Sequence, residues 1–182
     1  MNNISFVIGR FQPFHKGHKA LIDKALSLSK RVVVFLGSSQ EFRTEKNPFG
    51  TSERMQMILA PYPEIQRRRL IFIPLPDYQD HNVWLKHIQD SLQLISQGMS
   101  TFTFVCSNKD PSTAFGNSLV SSLGCVDTYT THPPFSLDAT TIRQSLKERK
   151  LLCTIEGLLP ETFELLGNYR KLVPHYKEPT KE

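Results

Sequence analysis

The chain has 182 residues, 39% hydrophobic and 21% charged, with twelve Phe; that is one compact domain with enough apolar residues for a core, which excludes a disordered or fibrous chain. Its longest apolar run, Val32-Val33-Val34-Phe35-Leu36, falls far short of the roughly 20 residues a membrane helix needs, and Met1-Asn2-Asn3-Ile4 lacks the basic region of a signal peptide. Lys and Arg number 22 against 17 Asp and Glu, a net charge of +5 that suits any polyanion, from nucleic acid to a nucleoside triphosphate, without choosing between them.

Short apolar runs alternate with helix-periodic stretches along the chain. A strand is predicted over 4–8 and a helix over 17–29, with Leu21, Ala25 and Leu28 on one face. A strand over 31–36 and a helix over 52–60 follow. Arg67-Arg68-Arg69, the one dense basic run, reads as a loop or strand entry before a strand over 70–73. A helix over 82–96 carries Leu85, Ile88, Leu92 and Ile95 on one face. A strand over 101–106, a helix over 112–123 and a strand over 125–130 come next. Helices over 139–149 and 161–172, the last entered through Pro160, complete the series. Such alternation predicts an α/β, Rossmann-like parallel sheet with helices on both faces, whose ligands bind beyond the C-terminal strand ends. The domain spans 1–172, with 173–182 a tail. Cys106, Cys125 and Cys153 form no CxxC and no even set, so they read as reduced thiols of a cytoplasmic protein.

Three loops that follow strands carry chemistry. The first is Gly9-Arg10-Phe11-Gln12-Pro13-Phe14-His15-Lys16-Gly17-His18. It places two imidazoles on the first turn of a helix, where outward-facing backbone N–H groups and the helix dipole favour an anion. Gly17 removes the side chain between the histidines, and imidazole N–H groups donate to phosphate oxygens. Neither a Walker A loop nor a GxGxxG fingerprint occurs, and no matching Cys or carboxylate completes a metal set.

This segment resembles the HxGH signature of the nucleotidyltransferase superfamily. The resemblance implies that His15 and His18 contact the triphosphate and stabilise charge in the transition state, with no covalent intermediate. It also implies that Gly9, Arg10 and Phe11 line the ATP site. Leu137-Asp138-Ala139-Thr140-Thr141-Ile142-Arg143 resembles the second signature, ISSTxxR, departing from it at Asp138-Ala139, where the family has two small hydroxyl residues. Asp138 or Thr140 caps the helix; the resemblance assigns Thr140 and Arg143 to the β- and γ-phosphates, and Ser107 and Asn108 to the adenosine side.

The segments Gly37-Ser38-Ser39 through Glu53-Arg54 and Pro76 through Trp84 resemble the archaeal-type nicotinamide-nucleotide adenylyltransferases, and especially the adenylyltransferase half of bifunctional adenylyltransferase/Nudix proteins. That implies transfer of AMP from ATP, with Mg²⁺ carried on the nucleotide, to nicotinamide mononucleotide. Gly37, Ser38, Arg43, Asn47, Asn82 and Trp84 would line the acceptor site, with Arg43 forking onto the acceptor phosphate. Trp84, the sole Trp, suits stacking on a flat cationic ring; it equally suits a core anchor of its helix, and Asn82 a helix cap. Glu53-Arg54 reads as a structural ion pair. His81, His87, His132 and His175 acquire no role, and Cys106 reads as packing. The resemblance further implies a homo-oligomer, while the lack of aromatics interleaved with basic residues and of a long apolar run predicts neither nucleic acid nor membrane as partner. The alternatives are another acceptor, nicotinate mononucleotide or phosphopantetheine, or a non-catalytic nucleotide-binding module.

Overall fold

Val32 through Leu36 are all fully buried, as a strand covered on both faces requires. A computed structural model describes residues 4–97, 101–107, 126–131 and 138–172. Its elements run β1 (Ile4–Gly9), α1 (Lys16–Leu28), β2 (Arg31–Gly37), α2 (Thr51–Leu59), α3 (Glu64–Arg67), β3 (Leu70–Leu75), α4 (His81–Ser96), β4 (Phe102–Ser107), β5 (Val126–Thr131), α5 (Ala139–Lys147) and α6 (Phe163–Leu172). The five strands pair in parallel in the order β3-β2-β1-β4-β5.

The two-residue period sends alternate side chains to opposite faces. Val7, Val32, Val34, Leu36 and Val105 meet Leu21, Ile22, Ala25 and Leu26 of α1, Met57 and Ile58 of α2, and Ile142 and Leu146 of α5. Ile4, Phe6, Val33, Phe35, Phe102 and Phe104 meet Ile88 and Leu92 of α4. The Phe6 ring stacks on Phe104 with centroids 5.0 Å apart and meets Phe35 edge-on at 6.2 Å.

Strand order reverses between β1 and β4, and there the sheet also opens. The β1–β4 ladder ends at Phe6 and Phe104, whereas β1 stays paired with β2 to Gly9 and β4 with β5 to Ser107. The last three residues of β1 and β4 therefore part, leaving a crevice at the switch point where open α/β sheets bind ligands.

Several bounds differ from expectation for local reasons. β3 continues through Pro74 to Leu75, because it is an edge of the described sheet and a missing ladder donor is tolerated there. The single turn α3 is an addition; Arg67 and Arg68 stay exposed, Arg68 pairing with Glu64, while Arg69 is half-buried. Arg69 Nη2 donates to the carbonyls of Leu26 (2.5 Å) and Ser29 (2.6 Å), and Arg67 Nε donates to that of Tyr62 (2.6 Å). Arg69 thus serves the strand entry and the C-terminal end of α1, whose dipole favours a cation. α4 starts at His81 and is capped by Asp80, whose Oδ1 accepts from the Asn82 N–H at 2.8 Å; Asn82 is not the cap. α5 ends at Lys147 rather than 149, and Pro160 opens a 3-10 turn, Pro160–Thr162, that leads into α6. The helix expected over 112–123, Asn108 and the tail 173–182 lie outside the described residues. No described helix is long and apolar enough to cross a membrane.

Candidate active site

The chain leaves β1 at Gly9 and folds back on itself. Phe11 takes a left-handed conformation (φ 52°) that brings its ring over Gly9, where a Cβ would stand 3.0 Å from the ring. His15 caps α1: its Nδ1 accepts the Gly17 N–H at 3.1 Å. A Cβ at Gly17 would lie 3.0 Å from the His15 ring, so glycine is what lets the imidazole rest on the helix end. His15 and His18 stack with centroids 3.8 Å apart, and the Phe11 and Phe14 rings flank His18 at 4.9 and 6.0 Å.

That apolar wall sets the protonation state. Burial lowers the His15 pKa to about 4, against the opposing pull of the Asp138 carboxylate. Burial also holds His18 well below its usual range, helped by repulsion from His15 and Arg10, with the Pro13 backbone acting the other way. Both rings are neutral at pH 7. With Nδ1 of His15 accepting, its proton sits on Nε2, ready to be donated. His18 Nδ1 is enclosed without a partner.

The amides of α1 contribute less than the sequence suggests. Lys16 N–H donates to the Gly157 carbonyl at 2.9 Å and Gly17 N–H to His15 itself. The imidazoles replace them as donors, and a carbonyl 141 residues away in sequence carried no signal of this.

Asp138 caps α5, accepting from the Thr141 N–H (2.8 Å) and hydroxyl (2.9 Å); its pKa is lowered, by the Thr141 N–H bond first. Arg143 reaches back to the histidine loop, with Nη1 donating to the Gln12 carbonyl at 2.8 Å and Nη2 to Thr140 Oγ1 at 3.1 Å. The two signature segments, joined by a contact over 131 residues, therefore meet at one crevice. Among the described residues no three His, Cys, Asp or Glu side chains gather as a metal-holding set. Ser107 is buried at the end of β4.

The loop after β2 departs from the sequence reading. The Arg43 guanidinium grips Glu53 through both arms, at 2.7 and 2.8 Å, and also donates to the Pro48 carbonyl at 2.8 Å. Glu53 thus pairs with Arg43 and not with its neighbour Arg54, which corrects the expected Glu53-Arg54 pair. Burial pulls the Glu53 pKa up, but the Arg43 hydrogen bond, the Gly50 N–H and the Arg43 charge outweigh it, so the pKa is lowered. Ser38 is buried with φ 48°. Asn47 is also buried; its amide nitrogen donates to Glu41, and its Oδ1 is enclosed without a partner.

Two residues had no part in the site as the sequence reads it. Arg54 is fully buried; one Nη1 donates to both the Arg10 (2.9 Å) and Gly37 (2.7 Å) carbonyls, while Nε and Nη2 have no partner. Burial lowers its pKa to about 10. Gln12 is buried too, and its amide bonds both the carbonyl (2.8 Å) and the N–H (2.9 Å) of Phe49. The return of residues 49–54 to the ends of β1 and β2 creates these contacts, and no local pattern announces them.

At the other side of the crevice mouth, Gln40 and Asp77 tie the loops after β2 and β3 together with bonds of 3.0 and 3.1 Å. Trp84 is half-buried: it packs against the Phe6–Phe104 cluster, and the His81 ring lies nearly parallel to it at 5.7 Å. Asn82 is exposed in the first turn of α4.

The neutral histidines make stability depend on pH. The unfolded chain protonates His15 near the model-peptide value of 6.5, whereas the folded chain resists down to about 4. Between those values the unfolded state binds more protons, so stability present above pH 6.5 is lost as pH falls, by about 3 kcal/mol over the whole window for His15. The melting temperature should drop from pH 7.5 to pH 5, and His15→Asn, which keeps a capping side chain, should flatten that drop. A flat wild-type profile would show that the ring titrates normally.

Comparison with known proteins places this geometry. A cytidylyltransferase-like family model matches residues 6–73. The nicotinamide/nicotinic acid mononucleotide adenylyltransferase of Acinetobacter baylyi is 31% identical over 177 residues, 93% of this chain and 91% of that one. The nicotinamide-nucleotide adenylyltransferase of Thermoplasma acidophilum is 34% identical over 85 residues, 47% of this chain and 48% of its own length. A bifunctional NMN adenylyltransferase/ADP ribose pyrophosphatase from Francisella tularensis, solved with AMP and a Mn ion, shares the fold with a TM-score of 0.71 at 23% identity. That match covers 96% of this chain, which spans 55% of the bifunctional protein.

Proposed function

Because the chain belongs to the nicotinamide/nicotinic acid mononucleotide adenylyltransferase family, we propose that it transfers AMP from ATP to nicotinamide mononucleotide, forming NAD and pyrophosphate. The observation that carries the reading is the stacked pair of neutral imidazoles, 3.8 Å apart, at the switch-point crevice that Arg143 also reaches. Neutral donors suit this chemistry. An acceptor phosphate is already anionic and needs no general base, so the site has only to hold two anions together and stabilise the charge that develops.

An oxygen of the acceptor phosphate attacks the α-phosphorus of ATP in line as the bond to the pyrophosphate oxygen breaks, and pyrophosphate leaves with the electron pair. His15 Nε2–H and the His18 ring donate to the phosphate oxygens. Arg143 and Thr140, at the start of α5, hold the β- and γ-phosphates. Gly9, Arg10, Phe11, Ser107 and Asn108 border the nucleotide, which carries a divalent cation, proposed to be Mg²⁺, as part of the substrate. On the acceptor side stand Gly37, Ser38, Arg43, Asn47, Asn82 and Trp84, with Arg43 exchanging Glu53 for the acceptor phosphate. The proposal includes a cytoplasmic setting and a homo-oligomer. Nicotinate mononucleotide is the second reading, supported by the A. baylyi relative, whose name carries both acceptors.

Pyrophosphate release from ATP, measured in parallel with nicotinamide mononucleotide, nicotinate mononucleotide and phosphopantetheine, tests the proposal; release with phosphopantetheine alone, or with none, overturns it. Trp84 sharpens the test. Stacking plus cation–π attraction is worth on the order of 1–3 kcal/mol, so Trp84→Ala should raise the acceptor KM roughly tenfold to a hundredfold and leave that of ATP nearly unchanged. Trp84→Phe should recover part of the loss, and saturating acceptor should quench the sole Trp. A core role predicts instead a stability loss of about 3–5 kcal/mol with the acceptor KM intact.

A further inference from the structure

The loop over 37–49 is attached to the histidine loop at both of its ends. At its start, the Gly37 carbonyl shares Arg54 Nη1 with the Arg10 carbonyl, at 2.7 and 2.9 Å. At its end, both backbone groups of Phe49 are bonded by the Gln12 amide, at 2.8 and 2.9 Å. Between these points the loop is bonded to itself: Glu41 N–H to the Ser38 carbonyl (3.2 Å), Thr44 N–H to that of Asn47 (3.2 Å) and Asn47 N–H to Thr44 Oγ1 (2.9 Å). It is therefore a braced body whose two ends are held to residues 10 and 12, while Gln40–Asp77, Ser39 N–H to the Leu75 carbonyl and Arg43–Glu53 tie its middle to the end of β3 and to α2. The carbonyl of that same Gln12 receives Arg143 at 2.8 Å, so one buried residue links the phosphate-holding arm to the acceptor loop. The Lys147–Glu45 pair also joins loop and helix, but both partners are exposed and such pairs contribute little.

Gln12 and Arg54 are an economical pairing for this purpose. A primary amide supplies one donor and one acceptor in a fixed plane, which matches the N–H and C=O of a single residue. A guanidinium supplies several donors from a rigid plane, and here one nitrogen bridges the ends of two adjacent strands. We propose that Gln12 and Arg54 are positioning residues that pin the two ends of the acceptor loop to the histidine loop and so set the acceptor phosphate in line with ATP; this rests on the transfer reaction proposed above. Neither side chain touches the reacting atoms. Their effect is on alignment, where a displacement of about 1 Å costs on the order of a hundredfold in rate.

The test is steady-state kinetics of Gln12→Met, Arg54→Met and the double variant, with ATP affinity measured separately in the absence of acceptor and melting temperatures alongside. Each single variant is expected to lose tenfold to a hundredfold in kcat while ATP affinity stays within about threefold. Because residues that act as one device are non-additive, the double variant should fall little below the worse single. Arg54→Lys, which keeps donors and charge, should recover part of the Arg54→Met loss, and Gln12→Asn stands in if Gln12→Met does not fold. Folded variants with kcat within threefold of wild type, or a double variant whose loss is the product of the singles, would overturn the proposal. A wild type that releases no pyrophosphate with any acceptor would instead overturn the transfer reaction itself.

Discussion

His18→Ala should lower kcat at least a hundredfold while leaving the fold intact. One preorganised donor aimed at developing charge is typically worth about 3–4 kcal/mol of barrier, and the His18 ring stands at the crevice with its neighbours already in place. The cost to folding should be modest: the ring's hydrogen bond with the Pro13 backbone is lost, but its Nδ1 leaves no partner behind. What is lost is the stacking with His15 at 3.8 Å and the Phe11 contact at 4.9 Å. His15→Ala should show a comparable fall in kcat with a separable second effect. It removes the side-chain cap of α1, which costs about 1 kcal/mol, so its melting temperature should fall further than that of His18→Ala. Single-turnover and steady-state rates on both variants and the double, with melting curves, check this. Near-normal turnover in a folded double variant would remove the imidazoles from the mechanism.

Arg143→Lys is expected to lower kcat/KM for ATP by roughly tenfold to a hundredfold, since a charged hydrogen bond is worth about 1.5–3 kcal/mol and an ammonium cannot reproduce a planar fork. The acceptor KM should hardly move. The structure gives this substitution a second consequence. Arg143 joins α5 to the histidine loop through the Gln12 carbonyl and braces itself on Thr140, so a shorter, more hydrated cation has two fixed partners to reach as well as the phosphates. Thr140→Val, which removes the hydroxyl that braces Arg143 and faces the phosphates but keeps the guanidinium, should lie between wild type and Arg143→Lys in its ATP KM. An Arg143→Lys enzyme with unchanged ATP KM and kcat would make Arg143 a structural tie alone.

Local pattern determined a good deal of this protein. Alternating apolar runs and helical periodicity predicted the parallel sheet, because a strand buried on both faces must be continuously apolar and a covering helix must repeat at its own period. The spacing His15-Lys16-Gly17-His18 was legible for a similar reason: a cap, a gap and a following turn are all set within four residues. The cap of α5 belongs with them as far as the pair Asp138 or Thr140; the structure takes Asp138, a contact over three residues.

What only the tertiary structure decided involves groups distant in the chain. Glu53 could pair with Arg54 beside it or with Arg43 ten residues earlier. On a helix, successive side chains point in different directions, so Glu53 turns to the loop and Arg54 turns under the sheet. The neutrality of the histidines likewise follows from burial against Phe11 and Phe14, which a linear sequence does not express. The use of the α1 amides, the reach of Arg143 to Gln12 and the hold of Gln12 on Phe49 span 141, 131 and 37 residues. Hydrogen bonds are short-ranged and directional, so such partners are set by how the strands are ordered and where they part, and residue type alone leaves them open.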